Sequence, residues 1–130
     1  GAERGTPMVQ AARLGSDEIV QILAEYGADV EITDETGRTA LIWAAERCSS
    51  VTVQALIDAG GDVNHADHQA TTALMIAAQE GATGKIQMLL QAGADVSLLD
   101  DEGRSAIDWA EAGGHSEATT LLRENQDQPR

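Results

Sequence analysis

The sequence predicts an all-α solenoid: short helix-turn-helix units joined by extended loops with β-turn tips. Three series of residues, in step at one period of 33, predict it. The first is Thr6-Pro7-Met8-Val9-Gln10-Ala11-Ala12, repeated as Thr39-Ala40-Leu41-Ile42-Trp43-Ala44-Ala45, Thr72-Ala73-Leu74-Met75-Ile76-Ala77-Ala78 and Ser105-Ala106-Ile107-Asp108-Trp109-Ala110. The second is Gly27-Ala28-Asp29-Val30, Gly60-Gly61-Asp62-Val63 and Gly93-Ala94-Asp95-Val96. The third is Asp34, Asp67 and Asp100.

Each element has a local reason. Thr6 precedes an apolar stretch and can cap a helix, with Pro7 at the first helical position, where its missing N–H costs nothing. That helix runs to about Arg13-Leu14, and Gly15 can take the left-handed conformation that ends it. Ser16 is the expected cap of a second helix, with Asp17 and Glu18 at its positive end. Ile19, Val20, Leu23 and Ala24 fall on one stripe at helical spacing. Gly27 ends this helix, and Val30 to about Thr39 reads as a turn-rich loop. Helices this short are unstable alone in water, so each stripe must be covered by the next unit. The units are 1–33, 34–66, 67–99 and 100–126, a single array followed by a polar tail, 127–130. The first unit lacks its leading loop, so the chain is expected to start inside a repeat. Leu23, Leu56, Leu89 and Leu122 share one register position and are expected to be buried. Three departures carry local consequences. Cys48 stands where Gly15 and Gly81 stand, which is strained if the site is left-handed. Ala70 replaces a turn glycine, and Gly84 sits in the first turn of a second helix.

Composition narrows the function. Eight bases against 22 acids give 8 − 22 = −14, which opposes phosphate backbones and anionic membranes. No nucleic-acid or membrane partner is expected, and the longest apolar run, Ala73 to Ala78, is far short of a span. One cysteine, Cys48, allows no intrachain disulfide. The chain reads as soluble, intracellular and cytoplasmic, or as a fragment of such a protein, and a monomer is expected.

These residues resemble ankyrin repeats over nearly the whole chain. The carriers are the Thr-Pro-type helix starts, Gly114-His115, the leucine pairs, the Gly-Ala-Asp-Val series and the Asp-x-x-Gly turns at Gly37 and Gly103. The family's helix histidine is replaced by Val9, Ile42, Met75 and Asp108, which weakens local hydrogen bonding. The resemblance implies a protein-protein interaction module that binds a protein partner through a concave face of loop tips and first helices. On that face fall Glu3, Gly5, Arg13 and Leu14; Glu35, Thr36, Arg38, Glu46 and Arg47; His68, Gln69, Thr71, Gln79 and Glu80; and Asp101, Glu102 and Arg104. Four bases and six acids make its net charge 4 − 6 = −2, so half of the chain's bases gather there, all of them arginine. Arg13, Arg38 and Arg47, with Leu14 beside them, are the expected anchors, since a guanidinium pairs bidentately with carboxylates. The competing reading is that they neutralise neighbouring acids. The resemblance also makes Asn64 a possible substrate of an asparaginyl hydroxylase, because Leu56 to Asn64 resembles the accepted segment.

Catalytic chemistry is hard to find. His65, Asp67 and His68 are the one cluster with metal-ligand character, yet Asp67 is already explained by the repeat, so no metal or other cofactor is expected. His115 reads as structural. Cys48 has no histidine beside it in sequence, and no glycines form a phosphate loop. Trp43 and Trp109 share a register position and read as packing between units rather than as a ligand platform. No catalysis is expected. The alternatives are a spacer within a larger protein and, less favoured, the metal-binding loop.

Overall fold

Thr6 opens the first helix as its side chain predicts: its hydroxyl accepts from the backbone N–H of Val9 at 3.4 Å, and Pro7 takes the first helical position. From there the computed structural model describes residues 6–126. Glu3 and Gly5 of the expected recognition face, and the tail 127–130, lie outside the described residues. The chain forms α1 (Pro7–Arg13), α2 (Asp17–Glu25), α3 (Ala40–Arg47), α4 (Ser50–Asp58), α5 (Ala73–Glu80), α6 (Thr83–Gln91), α7 (Ala106–Ala112) and α8 (Ser116–Gln126). Odd-numbered helices pack on one another in sequence order, α1 on α3, α3 on α5 and α5 on α7. Even-numbered helices form a second row behind them.

The sequence explains the two rows. In α3 and α5, six consecutive residues are buried, Ala40–Ala45 and Ala73–Ala78, because α3 packs on α1, α4 and α5, and α5 on α3, α6 and α7. Their alanines let adjacent helices approach closely. The second row buries one stripe, with Val20, Val53 and Ile86 at one register position and Leu56, Leu89 and Leu122 at another. Leu23 is the exception in its series: it is only half-buried, since no helix of the described chain packs on the outer side of α2. Ile19 also departs from expectation at 51% exposed, because it turns to that same open side.

Between the rows, Gly15 (φ 76°), Gly81 (φ 67°) and Gly114 (φ 75°) make left-handed turns. Cys48, at the same register position, does not. It is extended (φ −113°, ψ 172°), so the strain foreseen there is not incurred. Its Sγ lies 3.7 Å from the carbonyl of Ala12, in the neighbouring unit. Burial, with Asp17 adding to it, pushes the thiol up to about 11, which leaves it without thiolate character near neutrality. Not every helix start has a side-chain cap, and the one expected at Ser16 is missing. Ser16 sits at the start of α2 but makes no side-chain cap bond. Thr39 makes none either, and its buried hydroxyl has no hydrogen-bond partner.

The loops that open units two, three and four project as fingers held by their aspartates, the second finger by Asp34, the third by Asp67 and the fourth by Asp100. Asp29, Asp62 and Asp95 each accept from the backbone N–H two residues on, at 2.9 Å. Asp34, Asp67 and Asp100 each use Oδ1 to accept from the N–H groups two and four residues on. Each finger closes by a backbone bond, Asp34 to Arg38, Asp67 to Thr71 and Asp100 to Arg104. Gly37 and Gly103 provide the positive φ at the tip, and Ala70 adopts it too, at φ 62°. Neighbouring fingers are tied edge to edge, His68 N–H to Thr36 O and Asp101 N–H to Gln69 O, both at 3.0 Å. Among the described residues no helix is long and apolar enough to cross a membrane.

Candidate recognition groove

Where the second and third fingers meet the end of α3, they enclose an open depression of about 510 Å³. Its lining is Thr36, Arg38, Trp43, Glu46, Arg47, Asp67, His68 and Gln69. The finger turns position Thr36, Arg38, His68 and Gln69, and α3 supplies the rest apart from Asp67. Trp43 is the structural centre. Its ring is buried to 7% exposure, and its Nε1 donates to Oδ2 of Asp34 at 2.8 Å.

Three guanidiniums gather around this one indole, Arg38 at 4.4 Å from the ring centroid, Arg13 at 4.9 Å and Arg47 at 5.3 Å. They come from three different elements: the end of α1, the second finger and the end of α3. Each is also paired with acids. Arg13 bonds Glu35 at 2.7 Å and Asp34 at 3.4 Å. Arg38 bonds Asp67 at 3.0 Å and Glu46 at 3.1 Å. Arg47 bonds the other oxygen of Glu46 at 3.0 Å, and its Nη1 reaches the carbonyl of Arg13 at 3.2 Å. The pairing holds Glu35 below its ordinary value, chiefly through its bond from Arg13. Burial raises the carboxyl of Glu46, but bonds from Arg47 and Arg38 outweigh that and leave it lowered. Asp34 follows the same balance, with burial opposed by Thr36, Trp43 and the backbone N–H groups of Thr36 and Arg38.

The expected face is therefore assembled unevenly. Arg38, Glu46, Arg47, His68 and Gln69 line the depression, and Arg13 and Glu35 join its ion network. Leu14 stands at the end of α1 with 78% exposure. Gln79 and Glu80 are exposed at the end of α5. Asp101 and Arg104 lie on the fourth finger, where Arg104 covers Trp109 at 5.1 Å and bonds Asp100 at 2.9 Å. Trp43 was expected only to pack between units. It does so, and it is also the floor of the depression. The available signal was the shared spacing of Asp34 to Trp43 and Asp100 to Trp109, since Trp109 donates to Asp100 at 3.0 Å in the same way.

The remaining candidates hold the array together. Asp67 spends its oxygens on its own turn and on Arg38. A ring nitrogen of His65 lies 2.9 Å from the carbonyl of Gly37, and the ring of His68 lies over Gly37. Among the described residues no group of three or more His, Cys, Asp or Glu is placed to hold a metal ion. His115 covers Gly81 and Gly113, where any β-carbon would collide with it. Asn64 is exposed, and its amide bridges to the next unit, accepting from Asp95 N–H at 2.7 Å and donating to Gly93 O at 3.2 Å. Lys85, which sequence reasoning passed over, donates to the carbonyl of Ala45 at 2.9 Å and so caps α3 from the neighbouring unit.

No curated protein shows a significant match to the chain. A family model described as ankyrin repeats (3 copies) matches residues 1–67 and 50–129. Such repeats are generally protein–protein interaction modules and are typically non-catalytic. With the matches spanning nearly the whole sequence, and eight helices among the described residues paired in repeating units, the chain belongs to the ankyrin repeat family.

Proposed function

We propose that this chain is a non-catalytic binding module that takes a protein partner in the depression floored by Trp43. The observation that carries this reading is the convergence of three arginines, from three separate elements, on one indole at an open surface. Because intramolecular acids already hold these guanidiniums, they are ordered before a partner arrives, which lowers the entropy lost on binding. Arg47 is the anchor among them, and Leu14 offers apolar contact beside it. The net charge of −14 repels acidic surfaces in general and so restricts which partners approach. We read the module as a monomer.

The test is site-specific photo-crosslinking in the source cell. A crosslinker at Gln69 should trap a partner that one at Glu117, on α8, does not. Arg47→Ala should weaken the purified complex by more than about 1 kcal/mol without unfolding the chain, and Glu18→Ala and Glu117→Ala should leave it unchanged. If crosslinks form only from the second-helix row, recognition lies on the other face.

A further inference from the structure

Leu14, which caps the end of α1, Arg47, the last residue of α3, and Glu80, the last residue of α5, share one register position of the 33-residue repeat. Because α1, α3 and α5 pack side by side, these side chains stand in one row at intervals of about 8–10 Å. All three are exposed, Leu14 at 78% and the side chain of Arg47 at 49%. The two charges of the row are incompletely paired. Arg13 and Arg38 each meet two carboxylates, whereas among the described residues Arg47 meets one, Glu46, which it shares with Arg38, besides the carbonyl of Arg13. Glu80 has no ion-pair partner among the described residues, and the chain's single lysine, Lys85, is spent on the carbonyl of Ala45. Burial raises the carboxyl of Glu80 above its ordinary value, Lys85 offsets this in part, and the charge of Glu46 adds to it. A base brought to Glu80 would relieve that repulsion.

We propose that this row reads a protein partner's segment presenting an apolar, an acidic and a basic side chain in that order, the acid on Arg47 and the base on Glu80. The inference rests on the groove being the binding face, and adds what that face selects. Exposed charges of opposite sign, set side by side, fix the register and direction of a bound segment more than they add affinity. The order acid-then-base is accepted, and the reversed segment places like charges together. The two partner charges fall about three residues apart in a polyproline-II segment, where they share a face, and about six to seven apart in a helical one.

A library of random peptides, long enough to span the row, displayed and selected on the folded chain, tests this without a known partner. The selected peptides should share an acid–base pair at one of those spacings. Arg47→Glu should weaken them by about tenfold or more. The double change Arg47→Glu with Glu80→Arg should select peptides with the pair in reversed order. Peptides that carry no such pair, or that bind the charge-swapped chain equally well, overturn the proposal. The groove reading then survives if His68→Ala or Gln69→Ala still abolishes their binding. If the native chain selects no peptide at all, both readings fall. Should the swapped chain fail to fold, Arg47→Gln and Glu80→Gln serve instead, and binding unchanged in both overturns the proposal.

Discussion

The indole of Trp43 donates its Nε1–H to Oδ2 of Asp34 at 2.8 Å, joining a finger to the helix behind it. The same aspartate holds its own turn through Oδ1, so one buried carboxylate fixes both the turn and the floor of the groove. Trp43→Phe keeps the apolar ring and removes the donor. It should cost about 1.5–3 kcal/mol, the usual scale for a bond to a charged group. Chemical denaturation measures this. A change below about 0.5 kcal/mol would mean that Arg13 alone satisfies that oxygen.

Acid should unfold the array by a predictable route. Asp17, Asp34, Glu35, Glu46 and Asp100 are all held below their ordinary values. Groups lowered in the folded state stabilise it fully above the unfolded-chain value and lose that contribution as pH falls through the folded value. The thermal midpoint should therefore drop as pH is taken below about 4. Asp17 is held down first by Thr52 and then by the backbone N–H of Ser49, both in the next unit. Asp17→Asn should flatten part of the pH slope, and an unaltered slope would remove that tie from the account.

Thr39 and Thr72 occupy one register position with opposite consequences. Thr72 caps its helix, accepting from Met75 N–H at 3.3 Å, while the hydroxyl of Thr39, at 2% residue exposure, bonds nothing. Thr72→Val should cost about 1 kcal/mol for a lost cap. Thr39→Val should be neutral or stabilising, because it deletes an unsatisfied polar atom in a shape-conserving way. Equal losses at the two sites would show that Thr39 is satisfied in solution.

Unit three can be stabilised at two backbone positions. Ala70 holds φ 62°, and Ala70→Gly should raise stability by roughly 0.5–1 kcal/mol, the released strain exceeding the added chain entropy. Gly84 lies in the first turn of α6 outside the left-handed region, and a β-carbon there would sit 3.6 Å from Oγ of Ser50, an ordinary contact. Gly84→Ala should add up to about 1 kcal/mol. The melting temperatures of both variants should rise, and a fall in either one rejects its argument.

Leu56→Ala should cost about 2–5 kcal/mol, and Leu23→Ala distinctly less, because Leu56 is fully buried and Leu23 only half so. Equal losses at the two positions would mean that α2 is covered in solution.

The sequence by itself determined what acts within a few residues. Aspartates that bond the second and fourth N–H ahead, the Thr6 cap, Pro7 at a helix start and Gly15 and Gly81 at helix ends all do their work locally. Their shared period therefore carried the fold. Only the tertiary structure decided which partner each side chain took. Asp17 opens α2 as the sequence predicts, and it also ties Ser49 and Thr52, 32 and 35 residues away. Cys48 escapes the strain of a left-handed turn because its backbone is extended there, and its thiol meets the carbonyl of Ala12. Arg13, Arg38 and Arg47 were legible as one face, but not as a set closed around Trp43. With 22 acids to choose from, a long flexible arginine has many partners of similar energy, and the choice among them is made by packing between units rather than by spacing along the chain.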